Sequence, residues 1–318
     1  MEEQICCVCH KPVGEAGRRL GGRVYCQTHF IKVSQDRPSI WRAGLASIVG
    51  QVLFVLLVVG LVALIEPALT GWQLLLASVV LALIPALLWL LFFYQQDRLE
   101  PEPKGYVLAV FALGALLAQA IGIPLLRDGF EARKWLPIEP WANVLGSILI
   151  VGFVQEFLKY AAVRYSVYPL VEFDERVDGV IYGTAAGLGY ATMLNIQYVL
   201  SSGGVNLQAG VIRIVVTALA QASFAGLTGY FLGRAKFEDE PVWWLPLGVT
   251  LAAIINGLFT VLRGELTTTA LGLAGGGVNP WPGLLLGALV AAATFGLLFA
   301  LIRRANRLTL AGADVATE

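Results

Sequence analysis

The chain has 318 residues, of which 57% are hydrophobic and 14% charged, and its formal net charge is zero. A soluble domain carries roughly 25% charged residues, so this composition excludes an ordinary soluble protein and indicates an integral, multi-pass membrane protein. The balanced charge gives no electrostatic reason to expect a nucleic-acid partner.

The first 30 residues are polar and contain all four cysteines and both histidines of the chain. They lack the apolar core and cleavage site of a signal peptide, and we do not expect one. Two ligand pairs, Cys6-x2-Cys9 and Cys26-x2-His29, are separated by 16 residues. Thiolates and a neutral imidazole at this spacing favour a structural Zn2+ site, with all four positions filled by protein. Because about 30 residues cannot bury a sufficient core alone, the metal is expected to fold this tip.

Alternatives remain open for the tip. Cys7 and His10 form a second pair, so the ligand register can shift by one residue, or the segment is a disordered tail with redox-active cysteines. Residues 6–30, which end in Tyr25-Cys26-Gln27-Thr28-His29-Phe30, resemble the second zinc module of a LIM domain. Such a module is expected to bind a cytoplasmic partner protein or to respond to metal or redox state.

Long apolar stretches fill most of the remaining chain. A helix needs about 20 apolar residues to cross a bilayer. Eight stretches of about this length lie near residues 45–65, 72–94, 105–126, 141–163, 177–200, 209–233, 242–262 and 281–302. The predicted fold is therefore all-α: a polytopic helical bundle of about eight transmembrane helices with a small amino-terminal zinc-binding tip.

The distribution of Lys and Arg predicts the orientation of the spans. Eight spans put both termini on the same side, where 16 of the 22 Lys and Arg residues fall. Positive residues are enriched on the cytoplasmic side, so both termini are expected there, where cysteines favour metal over disulfides. The expected domains are a tip at residues 1–32, a linker at 33–44, a bundle at 45–304 and a cytoplasmic tail at 305–318.

Polar side chains within the spans are costly and usually mark function. In the fourth span, Gln155, Glu156 and Lys159 are three or four residues apart and share a helical face. They form either a functional site or a self-neutralising ion pair. Asp178 begins the fifth span, where a carboxylate suits the helix dipole. Amide side chains, which can also serve only as interhelical hydrogen bonds, follow at Asn195, Gln221 and Asn256.

Several segments together resemble the PrsW family of intramembrane proteases. The matching segments are residues 94–114, with Asp97-Arg98-Leu99-Glu100-Pro101-Glu102-Pro103; Gln155-Glu156-x-x-Lys159; residues 173–183, continuing through 187–192 to Asn195; the Gln221 helix with Gly229-Tyr230 and Gly233; and the Asn256 helix. They occur in family order over residues 94–262, and the long third segment makes the resemblance specific. The family is related to the prenyl-protein endopeptidases. The resemblance implies a helical bundle that cleaves substrates within or beside the bilayer, such as membrane-bound anti-sigma factors.

The chain departs from the family pattern at positions that carry the chemistry. The pattern is kept at Glu156, Lys159, Asp178 and Asn195. The family has Glu, Glu, His and His, in that order, where this chain has Gln155, Leu194, Gln221 and Asn256. An amide cannot act as a general base near neutral pH and binds a divalent cation weakly. No cofactor is therefore expected in the bundle, and Glu156, Lys159 and Asp178 remain as candidate catalytic residues.

Three functions are compatible with this pattern. The favoured one is a catalytically inactive family member whose bundle binds a membrane-spanning protein segment, while the zinc tip binds a cytoplasmic partner. The second is an active intramembrane protease that uses Glu156, aided by Asp178. A lone general base contributes roughly 100- to 10,000-fold, far below what peptide hydrolysis requires. The third is a channel, carrier or lipid-handling protein built on the same bundle.

Overall fold

Most of the chain folds into long helices, because backbone polar groups inside a bilayer must form hydrogen bonds within their own segment. The structure is a computed structural model, and it describes residues 4–9, 11–14, 17–20, 23–34, 40–65, 69–95, 102–136, 138–201, 207–269 and 281–314. The predicted all-α membrane fold is confirmed.

The amino-terminal tip is an antiparallel hairpin followed by a short helix. Its elements are β1 (Arg18–Leu20), β2 (Arg23–Tyr25) and α1 (Gln27–Ser34). A bridge between Ile5 and Pro12 closes the preceding loop. The Cys7 amide donates to the Val24 carbonyl at 2.9 Å, which holds this loop against β2.

Eight long helical segments form the bundle within the described residues. The first four are α2 (Ile40–Ile65); α3 (Gly71–Tyr94); α4 (Lys104–Leu117) with the π-helices π1 (Ala118–Gly122) and π2 (Leu125–Gly129); and, after the short α5 (Ala132–Trp135), α6 (Pro140–Gly146) with the π-helix π3 (Ser147–Gly152) and α7 (Phe153–Ser166). The last four are α8 (Asp178–Ser201), α9 (Leu207–Phe237), α10 (Trp244–Thr269) and α11 (Trp281–Asp314).

Seven of these segments are long and apolar enough to cross a membrane, and α8 is the exception. The fifth predicted span, near residues 177–200, corresponds to α8. It is a helix, as predicted, but it is less apolar than a membrane span was expected to be. Burial explains this difference, since 17 of the 24 residues of α8 are buried. The helix packs against α3, α4, α7 and α9. A helix enclosed by other helices can carry small and polar residues because little of its surface meets lipid.

Glycines on α8 permit the close approach of α9. A Cβ at Gly179 would overlap the carbonyl oxygen of Gly229, and one at Gly187 would overlap that of Gln221. Residue numbers therefore rise along α8 as they fall along α9, so the two helices are antiparallel. Small residues at such an interface let backbones pack closely in a bilayer.

An aromatic cluster joins α3 to α11 around this central pair. Trp89, Phe92 and Phe93 pack against Phe295 with ring centroids 5.4–6.0 Å apart. The same buried cluster includes Tyr182 of α8. The core of the bundle therefore surrounds α8.

Candidate functional site

A π-helix precedes the polar residues of the fourth segment. π3 ends directly before α7, which carries Gln155, Glu156 and Lys159. Single-turn π-helices inside α-helices are frequent at functional sites. At Gly152, the segment lies so close to α10 that a Cβ would overlap the carbonyl oxygen of Ala253. This contact brings the next turn of α10 within reach of the α7 side chains.

Polar side chains from α7, α9 and α10 form what we call the five-residue network, which consists of Gln155, Glu156, Lys159, Gln221 and Asn256. The Lys159 ammonium donates to the Glu156 carboxylate and, at 2.6 Å, to the side-chain oxygen of Gln221. The Asn256 amide donates to Glu156 at 2.7 Å and to Gln155 at 3.0 Å. The Gln221 amide donates to Gln155 and Asn256, each at 3.2 Å. All five residues are at most 6% exposed.

The five-residue network contains one carboxylate and one ammonium, and its other members are amides. A buried ion pair is tolerated when further hydrogen bonds reach both charges, and here Asn256 donates to the Glu156 carboxylate while Gln221 accepts from the Lys159 ammonium. One carboxylate oxygen, Oε2 of Glu156, has no hydrogen-bond partner among the described residues. The Lys159 ammonium lies 5.6 Å from the centre of the Tyr190 ring. Tyr190 was not among the predicted site residues, although it lies one helical turn before Leu194.

Two residues predicted at the site lie on α8, beside the five-residue network rather than within it. Leu194 belongs to an apolar cluster with Tyr190 and Leu158. Asn195 donates to the carbonyl of Ile214 at 3.1 Å and thereby joins α8 to α9. The bundle thus brings together Gln155, Gln221 and Asn256, while Leu194 packs in the apolar cluster that includes Leu158 of α7.

Asp178 belongs to a second buried cluster, at the start of α8. Its carboxylate accepts a hydrogen bond from the backbone amide of Asp174 at 2.8 Å. It is also hydrogen-bonded to Glu102, to which Tyr182 donates at 2.6 Å. Asp178 therefore stabilises the loop that enters α8.

The sequence predicted that Asp178 would assist Glu156, and the structure separates the two residues. Lys159, the partner of Glu156, lies against Tyr190. Tyr190 follows Asp178 by 12 residues, which is about 18 Å along a helix axis. Two polar residues on adjacent spans can thus lie at different depths of the bundle, which the sequence pattern does not reveal.

Glu102 is a buried acid that the sequence analysis did not select as a site residue. It is 3% exposed. Burial raises the pKa of its carboxyl to about 7, although hydrogen bonds with Tyr182 and Asp178 oppose this rise. Its position between Pro101 and Pro103 indicated only a break between two helices, and its place in a family-like segment was the available signal.

The predicted metal ligands lie together in the tip. The group consists of Cys6, Cys9, Cys26 and His29, whose ligand atoms lie within 4.8 Å of one another. His29 Nδ1 is 3.2 Å from Cys26 Sγ and 3.6 Å from Cys6 Sγ. Cys7 is not part of this group, and His10 lies outside the described residues. Three thiols and an imidazole in this arrangement can hold one metal ion.

The surroundings of Cys6 favour its thiolate. Burial raises the pKa of the thiol, but hydrogen bonds from the backbone of Cys26, Cys9 and Val8 and from the His29 ring outweigh that effect and lower the pKa to about 6. The thiolate is the form of cysteine that binds metals. The surroundings of Cys6 therefore favour a bound cation at this one ligand.

The bundle offers no comparable donor set. Within the described ranges, only the tip brings three or more His, Cys, Asp or Glu ligand atoms close enough to hold a metal. The five-residue network supplies one carboxylate, and the Lys159 ammonium is hydrogen-bonded to it. A divalent cation at Glu156 would be repelled by that ammonium, so these residues do not fit a catalytic metal.

Comparison with known proteins identifies the family of the part of the bundle from α4 to α10, and the family match leaves out the tip. The PrsW family of intramembrane metalloproteases matches residues 102–278. Protease PrsW of Halalkalibacterium halodurans is 30% identical over 185 residues, which cover 57% of this chain and 80% of that protein. Protease PrsW of Bacillus subtilis is 30% identical over 190 residues, which cover 58% of this chain and 81% of that protein. Protease PrsW of Clostridioides difficile is 29% identical over 184 residues, which cover 56% of this chain and 76% of that protein. No solved structure matches the chain.

Proposed function

Since the chain belongs to the PrsW family of intramembrane metalloproteases, we propose that it is a catalytically silent member whose bundle binds membrane-spanning protein segments. The proposal rests on the five-residue network, which lies within the matched part of the chain. Its single carboxylate is engaged by Lys159 and Asn256.

The chemistry of amide hydrolysis supports this proposal. Such an enzyme needs a metal with an open position for water, or a carboxylate that can take a proton from water. Gln155, Gln221 and Asn256 present amides, which neither bind a divalent cation tightly nor accept a proton near neutral pH. The ammonium of Lys159 stands beside Glu156, where a cation would have to bind. The hydrogen bonds of the five-residue network join α7, α9 and α10. These residues can therefore stabilise the packing of the three helices without catalysing hydrolysis.

A cleavage assay tests the silent state. The purified chain in lipid nanodiscs is incubated with a panel of single-span proteins, beside the Bacillus subtilis relative treated in the same way. We expect no fragments from this chain under conditions in which the relative cleaves. Fragments that this chain forms, and that Glu156→Gln abolishes, would overturn the proposal.

Binding is measured separately from cleavage. Each panel protein carries an acceptor fluorophore, and energy transfer from a donor on the chain reports association in the nanodisc. We expect at least one panel member to associate and to remain intact. The binding role would be contradicted if no panel protein gave more energy transfer than an unrelated helix inserted at random in the nanodisc.

A second candidate function is an active protease with Glu156 as its general base. One observation favours it, since the Oε2 atom of Glu156 has no hydrogen-bond partner among the described residues and can accept a bond from water. A positioned general base contributes roughly 100- to 10,000-fold. This candidate requires slow cleavage that increases with pH and is lost in Glu156→Gln.

For the tip, the proposed metal is Zn2+, held by Cys6, Cys9, Cys26 and His29. Three thiolates and an imidazole are a common ligand set of structural zinc, and they leave no open position for catalysis. The tip, at residues 1–32, lies outside the family match at residues 102–278. Its proposed role is to recruit a cytoplasmic protein to the bundle. The linker at 33–44, the bundle at 45–304 and the tail at 305–318 complete the proposed domains.

Eight crossings with both termini in the cytoplasm are the proposed topology. α8 runs antiparallel to α9, which is itself long and apolar enough to span. Lys236, near the end of α9, donates to the carbonyls of Tyr168 and Leu170, and Arg176 pairs with Glu238 at 2.9 Å. The end of α7, the start of α8 and the end of α9 therefore lie at one end of the bundle. The Lys and Arg residues of these segments support a cytoplasmic position for that end, because the rule of orientation counts Lys and Arg and gives little weight to Asp and Glu.

A tag placed after Glu318 tests this topology. Protease added to intact cells should leave the tag uncut, and protease added to inverted vesicles should remove it. A cysteine introduced by Lys134→Cys, in the opposite loop, should react with an impermeant maleimide in intact cells. The reverse pattern would refute the orientation.

A further inference from the structure

A cavity of about 420 Å3 opens beside the end of α7, apart from the five-residue network. It is lined by Arg164, Tyr165, Tyr168, Pro169 and Lys236. Arg164 lies near the end of the span Pro140–Ser166, and Lys236 lies near the end of Gly210–Phe237. The cavity therefore lies where two spans reach the headgroup region of the bilayer.

Aromatic rings and carbonyls hold the two cations in position. The Arg164 guanidinium lies 4.1 Å from the centre of the Tyr168 ring. The Lys236 ammonium lies 5.3 Å from the same ring and 4.8 Å from that of Phe173. Lys236 also donates to the carbonyls of Tyr168 at 2.7 Å and Leu170 at 3.1 Å. An ammonium has three hydrogens and a guanidinium five, so donors remain for a ligand.

Neither cation makes a salt bridge to a carboxylate among the residues that the structure describes. The carboxylates of Asp178, Asp174 and Glu102 attract Lys236 at longer range, and Arg164 repels it across the cavity. An anion between the two cations would relieve this repulsion and accept charge-assisted hydrogen bonds from both. The cavity thus favours an anionic ligand with several acceptor oxygens.

The surface that continues from the cavity is apolar. Phe157 precedes Arg164 by two turns of α7, shares its face and is 51% exposed. Tyr165, at the cavity, is 75% exposed, and amphipathic rings of this kind favour the headgroup level. An acyl chain can follow this face into the bilayer, whereas inorganic phosphate would use only the polar part of the cavity.

We propose that this cavity binds the phosphate of an anionic phospholipid, with Arg164 and Lys236 as its donors. Basic pockets between transmembrane helices bind anionic lipid headgroups in this way. The bound lipid would join the end of α7 to the end of α9.

The melting temperature of the delipidated full-length chain in mild detergent, followed by tryptophan fluorescence, tests this proposal. The additives are a short-chain phosphatidylglycerol, a short-chain phosphatidylcholine and inorganic phosphate. We expect phosphatidylglycerol to raise the melting temperature most and inorganic phosphate not to raise it. Arg164→Gln and Lys236→Gln should each weaken the lipid affinity about fivefold.

Two matched variants separate this site from general surface charge. Arg303→Gln with Arg304→Gln removes two exposed cations near the end of α11 and should leave the lipid effect unchanged, as should Arg164→Lys. If Lys236→Gln does not fold, the proposal is tested by comparing the effect of phosphatidylglycerol on the melting temperatures of Arg164→Gln and Arg164→Lys. An unchanged lipid effect in Arg164→Gln, or equal stabilisation by phosphatidylcholine, would overturn the proposal. Equal stabilisation by inorganic phosphate would assign the cavity to soluble phosphate and also overturn it.

Discussion

The side-chain amide of Asn256 on α10 donates to the carboxylate of Glu156 on α7 at 2.7 Å, although the two residues are 100 positions apart in the chain. The same amide reaches Gln155 at 3.0 Å. Asn256 therefore stabilises the buried charge and also fixes the contact between the fourth and seventh segments.

Replacing Asn256 with Leu should destabilise the bundle. The substitution removes the donor to both Glu156 and Gln155, and a buried acceptor left without its partner costs about 1–3 kcal/mol. The free energy of unfolding in detergent measures this cost. Thr294→Val is the matched control, because Thr294 is buried and donates only within its own helix, to Val290. A larger loss in the control than in Asn256→Leu would contradict the assigned role.

Removing one member of the Glu156–Lys159 pair should be worse than removing both. Lys159→Met leaves the Glu156 carboxylate buried without its cation, and breaking such a pair costs about 3–5 kcal/mol. The double variant Glu156→Gln with Lys159→Met leaves no uncompensated charge and should recover most of the loss. A double-mutant cycle on thermal unfolding measures the coupling. Additive losses would show that the two charges act independently.

Gly179→Ala should separate α8 from α9. The new methyl group would overlap the carbonyl oxygen of Gly229, and overpacking of this kind costs about 1–3 kcal/mol. Gly60→Ala is the control, since a Cβ at that helical position meets nothing within 4 Å. Thermal unfolding should show a loss for Gly179→Ala and none for Gly60→Ala. Equal stability of the two variants would refute the close packing.

The tip should carry about one zinc per chain, and Cys26→Ser should release it. The reason is that a ligand set of four loses one of its thiolates. Metal analysis of the purified protein measures the stoichiometry. Cys7→Ser should retain the metal, because Cys7 lies outside the ligand group. Loss of zinc in Cys7→Ser with retention in Cys6→Ser would indicate the shifted register, in which Cys26 remains a ligand.

The free energy of unfolding should fall as pH rises, because the carboxyl of Glu102 is buried. Its carboxyl has a pKa of about 7 in the folded protein, against an ordinary value of 4.5. The folded state therefore binds the proton of Glu102 more tightly than the unfolded state does. The resulting contribution to the free energy of unfolding is complete below pH 4.5 and is lost as pH rises through 7. The loss amounts to about 3 kcal/mol. Glu102→Gln should flatten this dependence of the unfolding free energy, while Glu172→Gln, at an exposed position, should not.

The sequence was sufficient to predict the long helices, the grouping of Cys6, Cys9, Cys26 and His29 in the tip, and the polar face of α7. The helices follow from apolar length, and the grouping follows from two spaced pairs of Cys and His residues. Contacts between helices required the structure, because they depend on which glycines meet which backbone. Gln221 and Asn256 could thus be predicted as polar residues on helices that resemble the family, whereas their hydrogen bonds to Gln155 could not be predicted.

Burial explains the remaining differences between prediction and structure. Glu102 stood between two prolines and indicated only a turn, yet the aromatic core encloses it together with Tyr182. Asp178 was assigned to the same site as Glu156 because both residues keep the family pattern. Depth along the bundle separates them, and depth depends on tertiary packing.

The modest apolarity of α8 has a consequence for how the protein is made. A translocon releases a segment into lipid according to that segment's own hydrophobicity, and α8 falls short of the other seven in this respect. Its entry into the bilayer should therefore depend on α9, synthesised directly after it. The two helices would be inserted as a pair, and a ribosome stalled between them would leave α8 outside the membrane.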